Sequence, residues 1–98
     1  MSVIQVYLEN GFEHDHVTLR ASGTEVEEHG VTTRYQIGLA SAVKLTVPDG
    51  RVTVTVAIPE RGLQAEATVD PRTTPHVRVN ALGGSLAIQP EAAPPMYA

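Results

Sequence analysis

Cysteine is absent from this 98-residue chain, and so is tryptophan. Without thiols there is no disulfide staple, no thiolate metal site and no cysteine nucleophile, so stability has to come from packing. The same absence favours a reducing compartment, and a cytoplasmic location is the expectation. Rings are scarce as well. Tyr7, Phe12, Tyr35 and Tyr97 are dispersed along the chain, which offers no stacking platform for a sugar or base and assigns Tyr7 and Tyr35 to core packing. Basic residues are few: Lys plus Arg number 7 against 11 for Asp plus Glu, a formal charge of −4. That balance argues against phosphate neutralisation and hence against a nucleic-acid partner. No stretch approaches the ~20 apolar residues a helix needs to span a bilayer. Residues 1–20 hold no basic region followed by an apolar one, so neither a membrane segment nor a secretory signal is expected.

What the chain has in quantity is alternation. Apolar residues at every second position mark a strand with one buried face, whereas helices need spacings of three and four. Val52, Val54, Val56 and Ile58 set against Arg51, Thr53, Thr55 and Ala57 are the clearest case, and their β-branched side chains suit a pleated surface. The same pattern marks Ile4, Val6, Leu8; Val17, Leu19, Ala21; Val31, Thr33, Tyr35, Ile37; and Val43, Leu45, Val47. It returns in Ala65, Ala67, Val69, in Val77, Val79, and in Leu86, Ile88. Glycines and prolines fall between these segments. Pro48-Asp49-Gly50 and Gly83-Gly84 carry hairpin chemistry.

Seven to eight short strands with one apolar face each predict an all-β fold, an antiparallel β-sandwich, with a small β-barrel as the alternative. The pattern resembles immunoglobulin-like and prealbumin-like sandwiches in architecture. Parallel pairing is disfavoured because no helix is available to make the crossover. A chain of this length supports one core, so residues 1–89 form a single domain. Residues 90–98 form a proline-rich tail biased to polyproline II.

His14 and His16, two apart on a strand, point the same way and could share a transition metal. If successive strands alternate direction, His29 and His76 fall at the opposite end of the domain, leaving Glu9 and Glu13 as the nearest further donors. Six acids, Glu9, Glu13, Asp15, Glu25, Glu27 and Glu28, cluster before residue 29 with Arg20 as the one basic residue among them, and read as solvated loops. Pro94, Pro95 and Tyr97 fit the proline-proline-any-tyrosine pattern that resembles ligands of WW domains. Met96 and Tyr97 could alternatively pack over an edge strand.

Signals for catalysis are missing. Ser41 lacks nucleophile-elbow spacing, Glu27 and Glu28 point to opposite faces of an extended chain, and no glycine loop leads into a helix. The expectation is therefore a non-catalytic module without a cofactor that binds protein partners or itself through a sheet edge or face. The alternatives are a small metal- or ligand-binding protein using His14 and His16, and, least favoured, an enzyme.

Overall fold

A computed structural model describes residues 1–34 and 36–96. Eight strands follow one another: β1 Ser2–Leu8, β2 Asp15–Ala21, β3 Thr24–Val31, β4 Ser41–Val47, β5 Val52–Ile58, β6 Leu63–Val69, β7 His76–Leu82 and β8 Ser85–Glu91. A single 3₁₀ turn, Pro59–Arg61, joins β5 to β6. The strands form two four-stranded sheets in the orders β4-β1-β7-β8 and β3-β2-β5-β6. No ladder joins the sheets among the described residues, so the domain is a sandwich and not a barrel. Immunoglobulin domains pair the first strand with the second. Here β1 lies between β4 and β7, so the strand order is not that of an immunoglobulin domain.

Alternation decides which face is buried. Val52, Val54, Val56 and Ile58 point inward and are at most 7% exposed, and they meet Ile4, Val6 and Leu8 of β1 and Val77 and Val79 of β7 in one core. Burying each such side chain contributes roughly 1.5–3 kcal/mol against the entropy of ordering the chain. Phe12, in the connection between β1 and β2, fills the end of that core.

Several sequence expectations are corrected. The strand expected over 31–37 lies earlier, at Thr24–Val31: Val31 ends β3, and Arg34 makes only an isolated bridge to Leu39. Ser22 and Gly23, with φ of 47° and 82°, form a two-residue turn that folds β3 directly back on β2. Backbone pairing outweighs the polarity of Glu25, Glu27, Glu28 and His29. Pro48-Asp49-Gly50 is not a hairpin turn, because β4 and β5 belong to different sheets. Gly83-Gly84 is one, with Leu82 opposite Ser85.

Parallel pairing also occurs, between β1 and β7. No helix is needed there, because the connection between them runs through β2 to β6, four of which lie in the facing sheet. β8 extends through Pro90 to Glu91, so the tail begins later than expected. Proline is tolerated because β8 is an edge strand. Tyr35 and Tyr97, both given roles above, lie outside the described residues. Among those described, no helix is long and apolar enough to cross a membrane.

The connection leaving β1 is held by polar groups. Glu9 is 1% exposed, and its carboxylate accepts from Arg78 Nε at 2.9 and 3.1 Å and from Asn80 Nδ2 at 2.9 Å. Asn80 Oδ1 in turn accepts from the Asn10 backbone N–H. Glu9→Ala is expected to cost about 2–3 kcal/mol at neutral pH, measured by urea denaturation. The loss stays below the upper range for a broken buried pair because the half-exposed Arg78 can turn to water.

Candidate functional site

The β2–β3 hairpin carries the densest chemistry of the described residues. Its register pairs Ala21 with Thr24, Arg20 with Glu25, Thr18 with Glu27 and Val17 with Glu28. The next pair outward in that register is His16 with His29. There the ladder shifts, and Asp15 pairs with Val31. Gly30, with φ of 65°, takes up the extra residue on β3 as a bulge. Val17 and Leu19 face the core, so His16 faces outward, as do Glu27 and His29 on β3.

Three potential donors therefore converge. His16 Nε2 lies 3.0 Å from Glu27 Oε1. The rings of His16 and His29 stack with centroids 4.4 Å apart and planes 11° from parallel. One ligand atom from each of His16, Glu27 and His29 lies within 4.8 Å of the others. Arg20 and Glu25 make an ion pair further along the same face, at 3.6 Å.

The structure separates the two histidines paired in the sequence reading. His16 belongs to the cluster; His14 does not. His14 precedes β2 with φ of 48°, outside strand geometry, and its backbone N–H is held by Thr32 Oγ1 at 3.0 Å. His29, expected at the far end of the domain, sits against His16, because an antiparallel hairpin returns the end of β3 to the start of β2. Glu27 and His29 are the residues that sequence reasoning missed. Counting outward from the Ser22-Gly23 turn would have found both.

Beside the hairpin, a cleft of about 340 Å³ opens between β3 and the start of β4, lined by Glu28, Thr32, Arg34 and Ser41 among others. Glu28 faces it while Glu27 faces outward, the opposition expected of neighbours on a strand. Ser41 donates its hydroxyl to Glu28 Oε1 at 3.1 Å. On the outer face of the other sheet Tyr7 is buried beside His76, its hydroxyl 2.8 Å from Gln5 Oε1 and 3.0 Å from His76 Nδ1. Burial pushes the phenol above its usual range, so it is neutral across physiological pH.

Pro94 and Pro95 follow β8 in a stretch without regular structure, and Met96 is 97% exposed, not packed on the edge of its own chain. The third residue of that motif, Tyr97, lies outside the described residues.

Four strands end the two sheets: β4, β8, β3 and β6. Natural edges are blunted by lysine, proline, bulges or charge. β4 carries Lys44, β8 carries Pro90, and β3 carries three acids and the Gly30 bulge. β6 has an unbroken seven-residue register with β5, no lysine, no proline and Glu66 as its one charge.

Comparison of the chain with protein-family models, with curated proteins and with solved structures finds no match.

Proposed function

We propose that this chain is a non-catalytic binding or assembly module that engages a protein strand along β6, a second copy of itself in the first instance. The observation that carries the proposal is the contrast between β6 and the other three edges. β8 of the facing sheet packs beside β6, but no ladder joins the two, so the outer backbone groups of β6 are a template for adding a strand. Two copies of one strand can pair antiparallel about a two-fold axis, the commonest symmetry of soluble oligomers. Ala65 and Ala67 point inward and are only half-buried.

Sedimentation velocity tests the proposal. A concentration-dependent dimer or larger species is expected, and Ala67→Lys, which plants an inward charge at the edge, should shift it to monomer. Far-UV circular dichroism checks that the variant stays folded, and Thr68→Lys, on the exposed face, serves as a milder second block. A strict monomer at the highest attainable concentration, or a dimer indifferent to both lysines, overturns the proposal.

A further inference from the structure

We infer that His16, Glu27 and His29 form a binding site for a divalent transition ion of the zinc, nickel or copper class. The site sits on the β3 side of its sheet, away from β6, and rests on different residues from the assembly proposal, so either can fail without the other.

Spacing supports it first. Two donors on a four-coordinate zinc with bonds of ~2.1 Å lie about 3.4 Å apart. His16 Nε2 and Glu27 Oε1 are already at 3.0 Å, and the His29 donor falls within 4.8 Å of both. Donor chemistry comes next. Two imidazoles and one carboxylate suit borderline ions, whereas calcium and magnesium need more oxygens than this face supplies. Three protein ligands leave the fourth position to water or to a ligand from solution, as in open zinc sites.

Backbone placement is the third support. The hairpin register and the Gly30 bulge fix all three Cα positions, so only side-chain torsions have to change. An imidazole nitrogen binds along a lone pair lying in the ring plane. Rings stacked 11° from parallel aim those lone pairs side by side, so one ring must tilt for them to meet on one ion. His29 is exposed and Glu27 is too, so the tilt meets little resistance.

The experiment is isothermal titration of the full, untagged chain with zinc chloride, repeated on single variants. One ion per chain is expected, with proton NMR showing selective shifts of the His16 and His29 ring signals. His29→Ala and His16→Ala should each abolish measurable binding, Glu27→Gln should weaken it, and His14→Ala should leave it unchanged. All these side chains face solvent, and unchanged circular dichroism confirms that the fold is kept. Absence of heat and of ring shifts under excess zinc overturns the inference. So does binding that survives His29→Ala but is lost in His14→Ala, which would return the site to the neighbouring histidine pair.

Discussion

Gly11→Ala is expected to cost about 4 kcal/mol of folding stability, most of the stability of a domain at the weaker end of the natural range. Gly11 has φ of 89°, and an added Cβ would lie 1.7 Å from the Ala81 carbonyl oxygen and 2.5 Å from its carbon. Both atoms are backbone of β7, so no rotamer relieves the overlap. The adjacent Asn10 carbonyl accepts the Ala81 N–H at 2.8 Å, and separating the chains breaks that bond as well. Gly62→Ala separates the two components of the cost. Gly62 is also left-handed, at 66°, but no atom lies within 4 Å of the added Cβ, so only the local strain of about 1 kcal/mol is expected. In a domain of this size each kcal/mol moves Tm by roughly 4–8 °C. Thermal denaturation should place Gly11→Ala far below Gly62→Ala, and equal midpoints would show that β7 does not approach Gly11 in solution.

Phe12→Ala should lose a similar amount, about 4 kcal/mol, by a different route. Phe12 is the largest fully buried side chain among the described residues and the single phenylalanine of the sequence, 1% exposed. Its backbone is held to the connection after β3: its N–H donates to Thr33 Oγ1 at 3.0 Å, and its carbonyl accepts the Thr33 N–H at 2.9 Å. Residues pinned in this way cannot collapse into the space that alanine leaves, so the cavity persists and adds to the lost transfer energy. Phe12→Leu, which refills most of that volume, is expected to cost only about 1–2 kcal/mol. Urea denaturation distinguishes the two variants, and a loss of less than about 1 kcal/mol in Phe12→Ala would place the ring outside the core.

The parts of the fold legible in the sequence are those where one strand carries its own signal. β5 alternates without a break, and the Gly83-Gly84 turn names the pairing of β7 with β8 directly. β3 was not legible from periodicity, because Val26 and Val31 are its only apolar inward residues and the rest read as a solvated acidic run. What makes it a strand is its neighbour β2, already fixed by Val17 and Leu19, together with a two-residue turn too short to do anything but reverse the chain. Pro48-Asp49-Gly50 misled for the opposite reason. Turn residues report that the chain bends, and not whether it returns to the same sheet.

The candidate site divides along the same line. His16 drew attention through its neighbour His14, an inference that assumed regular strand geometry on both sides of Asp15. Asp15 instead is buried, accepting Arg61 Nε at 3.0 Å and the Glu13 N–H at 2.9 Å, and this anchoring sets His14 in a left-handed conformation outside the strand.

Side-chain chemistry along the chain was enough to establish an all-β domain with its apolar faces turned inward, because alternation is a property of each strand alone. Which strands share a sheet and which strands end it depend on contacts between residues distant in sequence. Long-range pairing energy decides those, and no local pattern records it.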